Sequence, residues 1–341
     1  MNRKSYRAAF FILVFLSACF FCIADSANGL NAKAVQVMSQ SVESSKNSGH
    51  ESGVKRPELE FLTLKQELKA GKEYPYKIRK KYVQGSVVFH SSNEETAVIS
   101  PEGILTAKMP GSTWITASAQ GCSTKMKVTV LPKKTVVIDP GHSANPARGR
   151  EPEGPGSSKM KWKDSGGTAG VSTGTGEYEV TLKIALKLQK HLYRRGYQAL
   201  LTREDNQASI SNAERALAAN REKADIFVRI HADGCEQPSV SGASAMYPTQ
   251  KNAYIGHLSR KSRRLSDCML QAMCQVSGAK NRGCFGRDDL AGLNWAAMPV
   301  TLIETGFLTN PDEDRRLQED SYQEKLAAGM AEGIDAYFGY K

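Results

Sequence analysis

Strand-like and helix-like segments alternate along the second half of this chain, and that alternation constrains the fold more than any other feature. From residue 135 onward, the strand-like segments are TVVID, YQALLTR, DIFVRIHAD and MPVTLIETGFLTN. Between and after them, apolar residues recur at the spacing of an amphipathic helix. Such alternation is typical of the α/β class. We therefore predict a mixed, largely parallel sheet with helices on both of its faces.

The helical segments have recognisable ends. The segment EYEVTLKIALKLQKHLYRRG stops at Gly196, and SISNAERALAANREKA begins with a Ser or Asn cap. We predict a long helix over NAYIGHLSRKSRRLSDCMLQAMCQVSG and a closing helix over YQEKLAAGMAEGIDAYFGY.

Residues 57–132 have a different pattern, in which short alternating segments such as SVVFHSS, GILTAK and STWITASA are separated by turn sequences. This pattern predicts a small all-β sandwich. The stretch FHSSNEETAVISPEGILTAKMPGSTWITA resembles the bacterial immunoglobulin-like domain, group 2. That resemblance implies a stalk or spacer without an active site, and we begin the following domain, 133–341, at Lys133.

The first 27 residues have the layout of a secretory signal peptide, with a basic start, the apolar run AAFFILVFLSACFFCIA and small residues after it. Two alternatives stay open. The run is nearly long enough to be a retained membrane anchor, and LSAC resembles a lipobox that would make Cys19 the lipidated residue. Residues 28–56 are rich in serine, lysine and glycine and predict a flexible linker. We therefore expect a secreted or cell-envelope protein.

The net charge and the spacing of the cysteines limit the kinds of partner and of metal site that we expect for this chain. The formal net charge is +11, which favours an anionic partner. The chain has no concentrated basic stripe with interleaved aromatic residues, so we predict no nucleic-acid binding. Seven cysteines occur, two of them in the predicted signal segment; none of the other five forms a CxxC pair, so a zinc site made of cysteines is disfavoured.

Four polar side chains stand where strands or a helix meet the predicted edge of the sheet. His142 follows the strand TVVID, while His231 and Glu304 end two later strands, and Glu177 opens the first helix. Ligands of open α/β sheets bind at this edge. Two histidines and a carboxylate match a three-ligand zinc site, and a further carboxylate could act as general base.

Three of these residues also have an ordinary structural interpretation. A loop histidine is often just a hydrogen-bonded surface residue. Glu177 could simply stabilise the helix by placing a negative charge at the positive end of its dipole. Glu304 is different because it follows Val300-Thr301-Leu302-Ile303, four apolar or β-branched residues. A charge buried there costs several kcal/mol unless a metal or cation compensates it.

Four segments in this order resemble the catalytic domain of zinc-dependent N-acetylmuramoyl-L-alanine amidases, the type 3 amidase class. They are VVIDPGHS, GEYEVTLKIALKL, the run from YQALLTR to FVRIHAD, and PVTLIETGFLTNPDED. The resemblance covers residues 135–340. It implies Zn²⁺ as cofactor, His142, Glu177 and His231 as ligands, and Glu304 as the catalytic base. Glu179 lies close to the expected ligand position, and we choose Glu177 because it better matches the family segment.

The segment 143–176 departs from the family pattern, since many members have a short glycine-rich loop after DPGH. We expect this insert to form a rim over the cleft. Arg229 would either stabilise an oxyanion or pair with a carboxylate. The loop GRDDLAGLNWAAM contains Asp289 and Asn294, which we assign as substrate-binding residues, whereas Trp295 fits better in the core.

The resemblance implies hydrolysis of the amide between N-acetylmuramic acid and L-alanine in peptidoglycan, with a zinc-activated water as nucleophile. Two other hypotheses stay open. One is a zinc peptidase that cleaves within the stem peptide, and the other is a non-catalytic wall-binding or adhesion protein. Peptidoglycan is the expected partner in each case, with membrane anchoring through the N-terminus as an option. The oligomeric state does not follow from the sequence.

Overall fold

The computed structural model describes residues 55–340 of the chain. The predicted signal segment, with its alternatives, and nearly all of the predicted linker lie outside these residues. No helix between residues 55 and 340 combines the length and apolar character needed to cross a bilayer.

The N-terminal part of the described chain consists of strands and loops, as the alternating pattern predicts. Its strands are β1 Glu58–Phe61, β2 Glu67–Lys69, β3 Lys72–Pro75, β4 Ile78–Lys81, β5 Val88–Ser91, β6 Ala97–Ile99, β7 Ile104–Ala107, β8 Gly111–Ala119 and β9 Cys122–Leu131. They form a four-stranded sheet in the order β2-β9-β8-β5, a three-stranded sheet β3-β7-β6 and the pair β1-β4. Leu68, Leu105, Ile115 and Val128 are among the apolar residues enclosed between them.

Strands and helices then alternate to the end of the described chain. The strands are β10 Thr135–Pro140, β11 Arg150–Pro152, β12 Met160–Trp162, β13 Gln198–Leu201, β14 Ile226–Asp233, β15 Ala243–Tyr247, β16 Asn281–Gly286 and β17 Val300–Phe307. The helices are α1 Glu177–Arg194, α2 Asn212–Arg221, α3 Ser259–Ser277, α4 Ala291–Asn294, α5 Pro311–Gln318 and α6 Asp320–Phe338. A 3₁₀ turn, Gly256–Leu258, precedes α3.

Six of these strands form one mixed sheet in the order β13-β10-β14-β17-β15-β16. All neighbouring pairs are parallel except β15 with β17, which is antiparallel. The prediction of a mixed, largely parallel sheet is therefore confirmed. The parallel strands β10, β14 and β17 are adjacent, so their carboxyl ends lie at the same edge.

Apolar side chains cover both faces of this sheet. On one face, Val136, Ile138 and Val228 pack in a cluster with residues of α1, α3 and α6. On the other face, Val137 and Phe227 pack with residues of α2 and the loop before β17. The central strands β10, β14 and β17 contribute to both clusters because successive side chains point to opposite faces.

Helix α2 begins as the sequence predicts, since the Ser211 hydroxyl accepts a hydrogen bond from the Glu214 amide. Helix α3 begins later than predicted, because residues 252–258 form a turn and a 3₁₀ segment. The insert 143–176 contains the hairpin β11-β12. We did not predict this hairpin, because the sequence of the insert has no clear periodicity.

Candidate active site

The DPGH sequence turns the chain sharply at the end of β10. Gly141 is required there, because a Cβ at this position would overlap the imidazole of His231. His142 follows with φ of 57°, in the left-handed region that side chains rarely adopt. This turn directs the His142 side chain into a cleft at the sheet edge, the central cleft, which it lines together with Glu177, His231 and Glu304.

Two arginines hold this turn in place. Arg203 donates to the carbonyl oxygens of Pro140 and Gly141, both at 3.0 Å. Arg215 donates to the carbonyl oxygens of Pro140 and His142, at 2.8 and 3.0 Å. Both guanidinium groups are buried. Several fixed donors on successive carbonyl groups therefore oppose relaxation of the strained His142 backbone.

Three donor groups converge in the central cleft. The Glu177 Oε1 atom lies 2.9 Å from His231 Nδ1 and 3.4 Å from His142 Nε2. The two imidazole rings are nearly perpendicular, with centroids 4.8 Å apart. Ligand atoms from all three residues lie within 4.8 Å of one another. One metal ion between them could contact all three groups.

The chemistry of these groups fits zinc. Two imidazoles and one carboxylate are a known donor set for a zinc site with a free coordination position. His231 Nε2 is buried and has no hydrogen-bond partner among the described residues. A Cβ at Gly167 would contact both Glu177 and the His142 ring, so glycine leaves room around these ligands. Burial alone would raise the pKa of Glu177, but the two histidines outweigh it and hold that pKa well below its ordinary value.

Glu304 lies beside this cluster on the neighbouring strand. It is opposite His231 in the register of β14 and β17. Its side chain is buried, and Oε2 has no hydrogen-bond partner among residues 55–340. Burial raises the pKa of Glu304 well above its ordinary value, and the carboxylates of Glu177 and Asp233 add to the effect. A carboxyl group with a raised pKa beside a reacting bond is suited to accept and return a proton as a general acid–base group.

Asp164 completes the cluster and is a residue that sequence reasoning missed. It comes from the insert, and its Oδ1 atom lies 2.6 Å from His142 Nδ1. It also accepts a hydrogen bond from the Gly166 amide at 2.9 Å. Burial alone would lower the pKa of His142, but Asp164 and Glu177 raise it to about 9. Carboxylates in this position fix the orientation of metal-binding histidines.

Comparison with known proteins identifies the family. A family model described as N-acetylmuramoyl-L-alanine amidase, Amidase_3, matches residues 136–336, more than half of the chain. This chain belongs to the N-acetylmuramoyl-L-alanine amidase family. The prediction of this family and enzyme class from four sequence segments is confirmed.

Relatives and solved structures agree with this amidase assignment. The chain is 29% identical to N-acetylmuramoyl-L-alanine amidase AmiA of Escherichia coli, over 60% of this chain and 76% of AmiA. It is 32% identical to N-acetylmuramoyl-L-alanine amidase Rv3717 of Mycobacterium tuberculosis, over 59% of this chain and 85% of that protein. The crystal structure of amidase Ami1 from Mycobacterium smegmatis superposes with a TM-score of 0.56 at 27% identity, covering 61% of this chain and 98% of Ami1.

In this amidase, Arg229 forms a buried ion pair. Its Nε atom donates to Asp139 Oδ2 at 2.7 Å, and its Nη2 atom donates to Asn212 at 2.7 Å. The Nη1 atom of Arg215 donates to the other carboxylate oxygen of Asp139, Oδ1, at 2.8 Å. Burial alone would raise the pKa of Asp139, but the two guanidinium groups hold it well below its ordinary value. Of the two roles considered for Arg229, the structure shows carboxylate pairing.

The other assigned substrate-binding residues lie outside the central cleft. Asn294 is fully buried, and its amide donates to the carbonyl oxygens of Glu153 and Asp288. Its bonds are thus satisfied inside the protein, which corrects the assignment to substrate binding. Asp289 accepts from Arg287 at 2.8 Å and lines a neighbouring cavity. Trp295 is partly buried and packs against the core, as expected.

Proposed function

We propose that this chain hydrolyses the amide between N-acetylmuramic acid and L-alanine in peptidoglycan as a zinc enzyme. The observation that carries the proposal is the arrangement of His142, Glu177 and His231 around one point, with the buried carboxyl of Glu304 beside them. A hydrolase needs both an electrophilic group and a proton carrier at the reacting bond. The names of the relatives supply the substrate class.

The chain's own residues have distinct roles in this proposal. His142, Glu177 and His231 would hold the zinc ion, which when bound polarises the scissile carbonyl and acidifies water. Glu304 takes the proton of the attacking water and returns it to the leaving amine. Asp164 orients His142 through the hydrogen bond to Nδ1.

The fixed geometry supports this division of roles. Glu304 and His231 are on adjacent strands, and backbone hydrogen bonds of the sheet set their separation. The cleft that they share has a volume of about 480 Å³. It is also lined by Thr168, Asp233 and Thr309, whose polar groups are available to a peptide backbone. Such a cleft suits a polar, extended substrate better than a small apolar ligand.

Mass spectrometry of digested peptidoglycan tests the proposal. The zinc-loaded chain is incubated with purified peptidoglycan, in parallel with the Glu304→Ala variant. We expect release of intact stem peptides with a free L-alanine amine, and loss of this product in the variant. Cleavage within the stem peptide would instead indicate a peptidase. No product despite bound zinc would support a non-catalytic wall-binding protein.

We further propose that the enzyme works outside the cytoplasm, because its substrate lies there. The N-terminal segment would act as a secretion signal, and residues 57–132 as an immunoglobulin-like spacer. Tyr193 on α1 donates a hydrogen bond to the carbonyl of Pro110, which holds the spacer against the amidase part. Cell fractionation with an antibody against the full chain tests the location, and labelling with a lipid precursor tests modification of Cys19.

A further inference from the structure

A second cavity lies beside the central cleft. Its volume is about 200 Å³, and Ser165 lines both spaces. The hairpin β11-β12 of the insert forms one wall through Lys161 and Trp162, and the loop that contains Asp289 forms another. One substrate molecule could therefore place its scissile bond in the central cleft and a neighbouring group in this second cavity.

Trp162 is an unusually exposed residue in the wall of this cavity. Trp162 is 58% exposed, although burial away from water normally stabilises an indole ring. Arg150 is its cross-strand partner in the hairpin and stacks its guanidinium 4.6 Å from the centre of the indole ring. The ring is thus held in position at low entropic cost without being part of the core. An aromatic ring held at a cleft rim offers a flat apolar face to a ligand.

Planar polar side chains complete the cavity. Arg229 donates to Asn212, and Arg287 donates to Asp289, so these groups are fixed before any ligand arrives. The Asp289 carboxylate only accepts hydrogen bonds, and it keeps acceptor capacity for a neighbouring hydroxyl group beyond its contacts with Arg287 and Lys161. Leu290 and Ala291 add a small apolar surface.

The charges in the cavity favour an uncharged ligand. Arg229 is paired with Asp139, and Lys161 lies 3.3 Å from both Glu153 and Asp289. A carboxylate of a stem peptide would therefore meet cations that already have partners. A sugar ring carries no charge, presents hydroxyl groups to the polar side chains and places its C–H face on an indole.

We propose that this cavity binds one N-acetylated sugar ring of the glycan strand, next to the scissile amide. Trp162 supplies the stacking surface, Asp289 accepts a hydrogen bond from a hydroxyl group, and the apolar surface accepts the acetamido methyl group. The inference rests on the proposed amidase function and deepens it. The insert, through its hairpin, thus determines specificity for a glycan-linked substrate over a free peptide amide.

Two soluble substrates separate the sugar contact from catalysis. One is a disaccharide of N-acetylglucosamine and N-acetylmuramic acid that carries the stem peptide, and the other is an N-lactoyl stem peptide without a sugar ring. In Trp162→Ala, we expect KM for the disaccharide substrate to rise about five- to tenfold with kcat unchanged, a change of the size that one aromatic contact supplies. KM for the lactoyl peptide should not change. Trp162→Phe should restore most of the loss.

Trp114 provides the matched control. It is also exposed, at 44%, and also has a cation beside its ring, Lys125 at 4.9 Å, but it lies on β8. Trp114→Ala should leave both KM values unchanged. A fluorescence titration with the disaccharide lacking peptide should saturate in the wild type and in Trp114→Ala. Because Trp162→Ala lacks the reporting indole, its affinity for the same disaccharide is measured by calorimetry and should be lower than that of the wild type.

The outcomes distinguish this inference from the proposed function. Unchanged kinetics in Trp162→Ala, or equal losses on the two substrates, would overturn the sugar site while leaving the amidase intact. A wild type that cleaves neither substrate would overturn the amidase function. In that case the fluorescence titration still decides whether the cavity binds the disaccharide.

Discussion

His231 on β14 lies directly opposite Glu304 on β17, at the same position in the register of two parallel strands. Backbone hydrogen bonds between the strands fix this pairing, so it does not depend on a loop conformation. A proposed metal ligand and a proposed proton carrier are therefore held side by side by the core of the sheet.

The first prediction concerns Glu304. In Glu304→Gln the side chain keeps its shape but cannot accept the proton of water. We expect kcat to fall by about 10²–10⁴-fold, the usual contribution of a general acid–base group, with zinc content unchanged. Initial rates of stem-peptide release and elemental analysis measure the two quantities. A variant that loses zinc as well would show that Glu304 is itself a ligand.

The second prediction separates two neighbouring glutamates. Glu177 is buried beside both histidines, whereas Glu179 is only partly buried and accepts a hydrogen bond from the Gly176 amide at the helix start. We expect Glu177→Gln to lose zinc and activity together. Glu179→Gln should retain both with little change in stability, because the glutamine carbonyl oxygen can still accept the Gly176 hydrogen bond. Equilibrium dialysis against zinc and thermal unfolding provide the data. The reverse result would move the ligand to Glu179.

Much of the fold could be predicted because the alternation of strands and helices is strong between residues 135 and 340. The edge strand β16 could not, since it contains Gly283 and Gly286 and is largely exposed, so its sequence has neither apolar alternation nor high strand propensity. Its pairing depends instead on β15, which is close only in the folded chain.

The candidate site could be predicted only in part, from the residues that the strand pattern places. His142 follows β10, and His231 and Glu304 lie in the C-terminal halves of β14 and β17, so the strand pattern of the sequence places all three near one edge of the sheet. Asp164 lies in an insert without periodicity, and only the folded loop brings it to His142. Asn294 shows the opposite error. Its loop has a composition suited to ligand binding, but composition does not reveal that the amide points inward to Asn252 and neighbouring carbonyls.

The third prediction concerns Asp164. Asp164→Asn keeps a hydrogen-bonding group near His142 Nδ1 but removes the negative charge that orients and strengthens this ligand. We expect zinc affinity to fall by about 10–100-fold, as for other carboxylates that support metal-binding histidines. Competition with a chromophoric chelator measures the affinity directly, without reference to activity. Asp289→Asn is the control, because Asp289 lies in the neighbouring cavity. An unchanged affinity in Asp164→Asn would mean that the Asp164–His142 contact has no part in metal binding.

The fourth prediction concerns the buried group of Asp139, Arg215 and Arg229. In Asp139→Asn the two guanidinium groups lose their shared carboxylate in a buried site. We expect the free energy of unfolding to fall by about 3–5 kcal/mol at neutral pH, the usual effect of removing one partner from a buried ion pair. Urea unfolding followed by circular dichroism measures this difference.

The same variant has a defined pH dependence. The pKa of Asp139 is held below its ordinary value in the folded state, so the ionised carboxylate favours folding. This stabilisation is complete above about pH 5 and is lost as the pH falls below the ordinary value of about 3.9 towards the folded pKa. The wild type should therefore approach the stability of Asp139→Asn as the solution becomes more acidic. A difference between the two proteins that stays constant from neutral pH to about pH 3 would contradict ionisation of Asp139 as its source.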